Sequence, residues 1–471
     1  MLSDRSSYLL SYRFRWIFCQ LEVLRHCLPV SIRRALNELP ESLDETYERI
    51  LKQIPRASEV HAHRMLQCLM VAVRPLRVEE LAVLAFEFEE TTLEGVPRYR
   101  PDWRSNDQEQ AVLSTCSSLV TIVDNYHDGS RVVQFSHFSV KEFLMSPRLA
   151  SSFSDVSRHH ISPEVTHTIL ALACLGFLLH LNGRMDDDSV KDLPLAEYAA
   201  EHWVTHAQFE DVASHVKNGM QSLFDLDRPH FATWVGIYNI DKPYQTYRES
   251  YSKMPTPLYY SSLCGFSDLV EFLLIKHPQH VDAMGGWYEF PLLAALVGKH
   301  VRAAKILLKH GANVGIRGTR GRTPLHNTVG DLDAGIVRLL LDHGADVNAR
   351  QDDLSTPLHL AVRNGNFTGA SLHWSALGGR LEIARILLDH GANANAENDQ
   401  GETPLHLVSR GNYDSQALSV DIAKLLLERG ADAHARDKDY ATPWLSARHR
   451  ERFDIARVLL NHDANALTEN D

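Results

Sequence analysis

The chain has 471 residues, 44% of them apolar, and a formal net charge of −12. This profile is typical of a globular protein and excludes a disordered, collagen-like or membrane-embedded chain. Both halves are acidic, which argues against a general nucleic-acid-binding surface. Only 6 of the 25 glycines precede residue 251, the first is Gly95, and the spacing Gly-x-x-x-x-Gly-Lys-Ser/Thr is absent, so the sequence has no P-loop of its own.

The six cysteines are scattered without a Cys-x-x-Cys pair, which predicts reduced and mostly buried thiols. No secretory signal is visible, because Arg13 and Arg15 interrupt the first apolar stretch. The longest apolar run, residues 169–179, is too short to cross a bilayer. We therefore expect a cytoplasmic protein that does not enter the membrane.

The N-terminal half begins with a helical remnant, residues 1–40, whose amphipathic part is 14–38. The next domain, residues 41–150, opens with the capping box Ser42–Glu45. Helices are expected over 42–54, 58–73 and 78–88, a hairpin over 119–123 and 131–136, and a short helix from a second capping box at Ser139. Three helices before a β-hairpin predict a winged-helix α+β domain.

Winged helices often read DNA, so the helix expected over 78–88 is a candidate recognition helix. This helix and the residues that follow it, up to residue 97, contain six glutamates and no lysine or arginine. Carboxylates next to phosphates oppose binding, because neutralising phosphate dominates affinity for DNA. The sequence therefore favours a packing role for this domain.

Residues 151–243 read as a helical domain, with helices expected from Ser162, over 195–206 and near 209–224. His202 and His206 are four apart on one predicted helix, which suits either two metal ligands or packing, and packing is favoured. Asp186–Asp188 lacks the spacing of a calcium loop and reads as solvated. A linker is expected over 244–255.

Residues 256–471 are an array of repeats. Thr323-Pro324-Leu325-His326 recurs from Thr356 and from Thr403, with degenerate copies from Thr256, Phe290 and Thr442. The steps between the prolines are 34, 33, 33, 47 and 39 residues. Four units also carry a leucine-rich second segment ending in Gly, which suits a left-handed helix end, while the first and last units have Pro278 and Asp463 near that place. A period of 33 with this motif is typical of ankyrin repeats.

The two long steps need an explanation. The segment Ala370–Trp374 fits the start of a unit and lies 33 residues before the next one, which makes residues 356–369 a stub. The last long step is expected to hold its extra residues near 413–418, between two helices. The count is six full units plus a stub, with the two end units as caps. If the stub is real, it should offset the stack locally.

Stacked units form a concave surface, and in the ankyrin family partners bind the hairpin tips and the exposed side of the first helices. The repeat frame selects candidates for partner contact at both places. The tip candidates are Thr319, Arg320, Asp352, Asp353, Asp399, Gln400, Asp439 and Tyr440, and the first-helix candidates are Asn327, Arg363, Asn364, Trp374, Arg410 and Arg448. The repeated histidines are spaced one per unit, which favours structural hydrogen bonds over a metal site.

Three further motifs, in residues 14–22 with 39–47, 135–144 and 196–203, resemble the region after the nucleotide-binding domain of fungal NACHT–ankyrin proteins, members of the STAND class of NTPases. The resemblance covers residues 14–471 and implies an ATP-binding domain before residue 14, which Met1–Arg13 does not resemble. The resemblance also suggests that His137 contacts a nucleotide phosphate, but without a nucleotide-binding domain His137 has no obvious phosphate to contact.

We therefore expect a mainly α protein in which a winged-helix domain and a helical domain precede an ankyrin-repeat solenoid. Its expected function is protein binding through the ankyrin groove, as part of a STAND-type signalling protein lacking its NTPase domain. A stand-alone ankyrin adaptor is the alternative, and a winged-helix transcription regulator is disfavoured. No catalytic residue, cofactor or metal site is predicted, and no nucleic-acid or membrane partner is expected.

Overall fold

The computed structural model describes residues 42–468 except 90–94, 117, 126–128, 152–154, 182–189, 191, 242–254, 332, 364–373 and 412–415. The chain divides into two compact units, residues 1–244 and 245–471. The predicted remnant 1–40, the acidic run Asp186–Asp188 and most of the predicted linker 244–255 lie outside the described residues.

The first unit begins with a small α+β domain and continues as helices. Its α+β part contains α1 (Leu43–Gln53), α2 (Glu59–Val71), β1 (Leu76–Arg77), α3 (Val78–Phe86), α4 (Gln108–Cys116), β2 (Val120–Asp124), β3 (Arg131–Phe135), α5 (Phe138–Leu144) and α6 (Pro147–Ala150). The helical part contains α7 (Pro163–His180), α8 (Ala196–Ala207), α9 (Val212–His215), α10 (Lys217–Leu223) and α11 (His230–Ile237).

The predicted hairpin is present, and a short strand completes its sheet. Strands β2 and β3 pair antiparallel with Ile122 opposite Val133, and β1 pairs with the other side of β3, giving the order β1-β3-β2. Neither β1 nor α4 was predicted from the sequence. The helix immediately before the wing is therefore α4, and the assignment of residues 78–88 as recognition helix is wrong.

Helix starts depend on single polar side chains. Ser42 caps α1 as predicted, since its hydroxyl oxygen accepts the Glu45 backbone N–H at 3.2 Å. The second predicted capping box is wrong, because the N-cap of α5 is His137, two residues before the predicted Ser139. The ring nitrogen Nδ1 of His137 accepts the Ser139 backbone N–H at 3.2 Å.

Helix α7 is the core of the first unit and packs against α2, α8, α9 and α10. It is long and apolar enough to span a membrane by length and composition, but half of it is buried inside the unit, as in a core helix. A Cβ atom at Gly176 would lie 2.2 Å from the Pro97 carbonyl oxygen, so only glycine permits this contact. The predicted helix near 209–224 is broken into α9 and α10, and α11 was not predicted.

The described part of the second unit contains six helix pairs. They are α12 (Pro257–Leu263) with α13 (Ser267–Lys276), α14 (Pro291–Val297) with α15 (Val301–Lys309), α16 (Pro324–Asp331) with α17 (Ala334–Asp342), α18 (Pro357–Val362) with α19 (Trp374–Asp389), α20 (Pro404–Arg410) with α21 (Gln416–Glu428), and α22 (Pro443–His449) with α23 (Phe453–Thr468).

The ends of these helices follow the repeat motif. A threonine N-cap with proline at the first helical position begins α12, α18, α20 and α22, as predicted. The glycine after the second helix has a φ of +86° at Gly311, +83° at Gly344, +85° at Gly391 and +84° at Gly430. This left-handed conformation strains residues with a Cβ atom, which explains the glycine.

The histidine of each Thr-Pro-Leu-His motif joins its unit to the next one. In the third unit, His326 Nδ1 accepts the Thr323 backbone N–H at 3.2 Å, so the ring proton is on Nε2. Nε2 then donates to the carbonyl oxygen of Ser355, in the next unit, at 3.2 Å. His359 donates likewise to Glu402 at 3.0 Å and His406 to Ala441 at 3.1 Å. We call this contact the histidine bridge, and it confirms the structural interpretation of these histidines.

The bridge at His359 corrects the predicted stub. The acceptor Glu402 lies 43 residues along the chain, directly before the next Thr-Pro motif. Helix α18 packs on α16, α19 and α20, so it is the first helix of the fourth unit and no additional unit intervenes. The proposed start Ala370–His373 lies outside the described residues, while the residues from Trp374 belong to one continuous helix. The count of six units holds. The prediction that residues 356–369 form a separate stub that offsets the stack is wrong.

The extra residues of the last long step lie between the two helices of the fifth unit, as predicted. Helix α21 has 13 residues, against nine in α15 and α17, so part of the excess lengthens its beginning. The other extra residues, Asn412–Ser415, lie outside the described residues. Both long steps are therefore accommodated within a unit, and the contacts between units remain.

Two deletions of equal length test this frame. Removing residues 366–379 restores a step of 33 between Pro357 and Pro404, and we expect the urea-induced unfolding free energy to change by less than about 1 kcal/mol. Removing residues 356–369 instead deletes buried Leu358 and Val362 with the histidine bridge, and we expect a loss of roughly 3 kcal/mol or more. The opposite ranking would restore the stub.

The histidine bridge has a testable pH dependence. Burial lowers the pKa of His326 to about 4, while an unfolded chain has the ordinary value of 6.5. The bridge therefore stabilises the fold fully above about pH 6.5 and loses this contribution as the pH falls toward 4. We expect His326→Leu, which leaves the Ser355 carbonyl unpaired, to cost about 1–3 kcal/mol at pH 7.5.

In urea titrations, this cost should shrink by about 1.4 kcal/mol per pH unit between pH 6 and 4.5. The matched control is His343→Leu, because His343 is exposed and its ring Nδ1 donates to the Leu339 carbonyl of its own helix at 2.8 Å, so it joins no neighbouring unit through this bond. A cost that stays constant with pH would contradict the neutral, Nε2-protonated form.

Candidate protein-interaction surface

The hairpin tips of the ankyrin array are joined to one another by backbone hydrogen bonds. The Asp352 N–H donates to the Arg320 carbonyl at 3.1 Å, and the Asp399 N–H donates to the Asp353 carbonyl at 2.8 Å. The Lys438 N–H donates to the Gln400 carbonyl at 2.9 Å. Backbone polar groups at the tips are thus used internally, while the side chains project outward. The tips form a fixed row of side chains.

The structure brings most predicted tip residues onto this row. Thr319, Arg320, Asp352, Asp399, Gln400, Asp439 and Tyr440 are exposed, and Tyr440 is 76% exposed. Arg320 and Tyr440 have φ values of 62° and 60°, which mark them as turn residues. These seven residues therefore share one edge of the array.

Asp353 differs from the other tip residues because its carboxylate is used inside the tip. Its Oδ1 accepts the Ser355 backbone N–H at 2.9 Å and the Gln351 side-chain amide at 2.8 Å. Burial alone would raise the pKa of Asp353, but these hydrogen bonds outweigh it and hold the pKa below its usual value. Asp353 therefore shapes the tip.

The predicted first-helix residues differ in their environments. Arg363 is exposed and Asn327 is half-buried. Arg410 is exposed, yet its guanidinium pairs with Glu402, which is 4% exposed. The Arg448 guanidinium lies 5.5 Å from the Trp444 ring centre. Asn364 and the side chain of Trp374 lie outside the described residues. Arg363 thus remains the clearest first-helix candidate, and Arg410 is already paired.

Two further tip residues were missed by the sequence analysis. Trp287 is 53% exposed, and Leu354 is 42% exposed with a φ of 60°. Trp287 lies four residues before Pro291, the position that Arg320 occupies before Pro324, so the repeat frame contained the signal. Trp287 was not predicted because the second ankyrin repeat begins with Phe290 instead of threonine. We call the exposed residues Trp287, Thr319, Arg320, Asp352, Asp399, Gln400, Asp439 and Tyr440 the tip row.

The tip row includes residue types that are frequent at the centres of protein interfaces. Aromatic side chains, Trp287 and Tyr440, stand at its two ends, and tryptophan, tyrosine and arginine dominate binding energy at protein interfaces. Between them lie one cationic and several acidic or amide side chains. With units spaced roughly 8–10 Å apart, the row extends about 30–40 Å.

In the first unit, the predicted histidine pair packs inside the helical part. His206 Nδ1 lies 2.9 Å from His167 Nδ1, and His206 Nε2 lies 2.9 Å from the Tyr198 hydroxyl. Burial lowers the pKa of His206 to about 3, which keeps the ring neutral. Both ring nitrogens of His206 are thus used, and buried His202 packs on the Tyr198 ring with the ring centres 4.8 Å apart, so the packing interpretation is confirmed. Across the described ranges, no group of three or more His, Cys, Asp or Glu side chains is arranged to hold a metal.

The described cysteines agree with the prediction of buried thiols. Cys68, Cys116, Cys174 and Cys264 are free and buried, and burial raises the pKa of Cys68 to about 12. A cavity of about 460 Å³ lies between α2 and α7. Its lining mixes apolar side chains with polar and charged ones, among them Glu59, Arg158, His63 and His159. His63 and His159 lie with ring centres 5.9 Å apart, and burial lowers the pKa of both.

The helix that precedes the wing carries little for DNA binding. Helix α4 contains Glu109 and no lysine or arginine, and Glu109 pairs with Arg131 at the start of β3. Arg131 also lies 3.7 Å from Asp124. The helix before the wing therefore presents no cationic side chain to DNA phosphate.

Comparison with known proteins agrees with both folds. Residues 291–371 and 368–437 match ankyrin repeats, in three copies, and residues 47–155 match the winged helix domain of GPI inositol-deacylase. The azaphilone pigments biosynthesis cluster protein L of Monascus ruber is 30% identical over 290 residues, which are 58% of this chain and 60% of that protein. The chain thus spans less than two thirds of that relative.

An ankyrin repeat domain of known structure from Acinetobacter baumannii AYE is 25% identical, with a TM-score of 0.38, and covers 44% of this chain and 97% of its own. The sequence matches and the helix pairs agree with each other. This chain is a mainly helical protein in which a winged-helix domain precedes an array of ankyrin repeats.

Proposed function

We propose that this protein binds a protein partner through the tip row and the adjoining first helices of its ankyrin array. The observation that carries the proposal is the row of exposed side chains on tips whose backbones are hydrogen-bonded to one another. Such a surface is ordered before binding, so little conformational entropy is lost when a partner docks. Ankyrin repeats are a non-enzymatic interaction fold, and we infer a binding role instead of catalysis.

We further propose that the chain is the sensor part of a STAND-type signalling protein in the cytoplasm. Support comes from the order winged helix, helical domain, ankyrin array and from the motifs near residues 135–144 and 196–203. A relative from the fungus Monascus ruber agrees with a fungal origin. Partner binding at the array would then act on a switch domain outside this sequence. A stand-alone adaptor would bind in the same way without a switch.

The tip row can be tested by proximity labelling with the full chain. We expect the quadruple variant Arg320→Ala, Asp399→Ala, Gln400→Ala and Tyr440→Ala to lose most of the labelled partners, since it removes contact side chains and no buried ones. Quantitative mass spectrometry of labelled proteins provides the measurement.

The matched control carries four substitutions of exposed residues on the second helices: Lys305→Ala, Asp342→Ala, Arg385→Ala and Lys424→Ala. It should label the same partners as the wild type. Equal partner sets for the tip variant and the wild type would rule out the tip row as the binding surface.

DNA binding by the winged helix is the competing function. Because α4 has no cationic side chain and Arg131 is paired, we expect no salt-sensitive binding of duplex DNA in fluorescence anisotropy at about 50 mM salt. A dissociation constant below about 1 μM that rises steeply with salt would contradict this expectation.

A further inference from the structure

The cavity between α2 and α7 lies inside the first unit. The described residues that line it belong to four segments, 59–67, 84–89, 158–159 and 169–173, together with Pro97, so its walls are internal parts of the fold. Its volume of about 460 Å³ falls within the range of about 300–1,000 Å³ that is typical of small-molecule sites. The cavity is therefore large enough for a small organic molecule.

One wall of the cavity is apolar. Helix α7 contributes Ile169, Leu172 and Ala173, and the region of α3 contributes Leu84 and Phe88. Leu84, Phe88 and Ala173 are buried, while Ile169 and Leu172 are half-buried. This wall suits the hydrocarbon body of a ligand, because burial of apolar surface is favourable.

The wall formed by α2 carries hydrogen-bond donors that lack a full set of acceptors. Gln67 lines the cavity and is 6% exposed, yet its side-chain amide has no hydrogen-bond partner among the residues that the structure describes. Half-buried Arg64 stands three residues earlier, on the same face of the helix. Its Nη1 donates to the Phe88 carbonyl at 3.4 Å, which leaves its other N–H groups for a further acceptor. A buried amide without a partner calls for one, and the cavity is where that partner can lie.

Arg64 is also the unbalanced charge of the described lining. Glu59 pairs with Arg158, and Glu89 pairs with Arg100 at 2.9 Å. No carboxylate of the described residues lies within ion-pair distance of Arg64. The two lining glutamates are therefore neutralised by other arginines, and Arg64 keeps its charge for a ligand.

The two histidines of the lining add no charge. Burial lowers the pKa of His63 to about 4 and also lowers the pKa of His159. Both rings are therefore neutral at about pH 7. The described part of the lining thus carries one cation in excess, which favours an anionic ligand over a cationic one.

We propose that this cavity binds a small carboxylic acid with an apolar body. The carboxylate accepts hydrogen bonds from the Arg64 guanidinium and the Gln67 amide, while the body packs on Ile169 and Leu172. A guanidinium matches a carboxylate in both geometry and charge, and the amide gains the partner that it lacks. The site belongs to the first unit, whereas the tip row belongs to the second, so the two proposals are independent.

A ligand-observed NMR titration of the full chain with 2-naphthoic acid tests the proposal. The neutral comparison probe is 2-naphthamide, which has the same number of non-hydrogen atoms. We expect a dissociation constant of about 0.1 mM for the acid and binding about tenfold weaker for the amide. Arg64→Gln should weaken binding of the acid about tenfold and leave binding of the amide unchanged, because it removes the cation. Leu172→Trp fills part of the cavity and should weaken binding of both probes about fivefold or more.

The matched control is Arg56→Gln, at an exposed arginine three residues before α2 that is not among the residues lining the cavity. It should bind both probes like the wild type, and circular dichroism should show the same helix content in all variants. If the folded wild type binds neither probe at about 1 mM, the cavity holds water only and the proposal is wrong. Equal binding of the two probes that Arg64→Gln leaves unchanged also overturns it, as does acid binding that Leu172→Trp leaves intact.

Discussion

The hydrogen bond from a buried histidine to the carbonyl of the next unit is the contact that joins the third to sixth units of the array to one another. One ring nitrogen accepts from the threonine that caps its own helix, and the other donates across the interface. Burial lowers the pKa of His326 and His359, so each ring stays neutral and keeps this direction. Because it ties the start of one helix to the residue before the next cap, it fixes the spacing and places the tips in one row.

The same contact explains why an irregular sequence gives a regular stack. The fourth unit contains 14 residues beyond the period, yet His359 meets Glu402 as His326 meets Ser355. The spacing was readable from the sequence, but two frames fitted it equally well, since Ala370–Trp374 resembles a unit start. Only the long-range pairing of α18 with α20 distinguishes them, and pairing across 43 residues leaves no local signal.

Local chemistry made much of the fold predictable. Threonine caps, helix-terminating glycines and the hairpin around Gly129 all act over a few residues, and these predictions hold. The tip positions also followed from the period, and Trp287 was recoverable by the same frame. What failed depends on tertiary contacts: the two-residue strand β1 exists only through pairing with β3, and the pairing of Arg410 with Glu402 follows from burial of the carboxylate.

The central claim is an unbroken array with consecutive tips. Nitroxide labels on Asp352→Cys and Asp399→Cys test it directly by continuous-wave electron paramagnetic resonance, with each singly labelled chain as reference. Adjacent units place the two labelled tips about 10 Å apart, which predicts strong dipolar broadening in the doubly labelled chain. If an additional unit lay between them, the separation would be about 20 Å and the spectrum would equal the sum of the single-label spectra, contradicting the account.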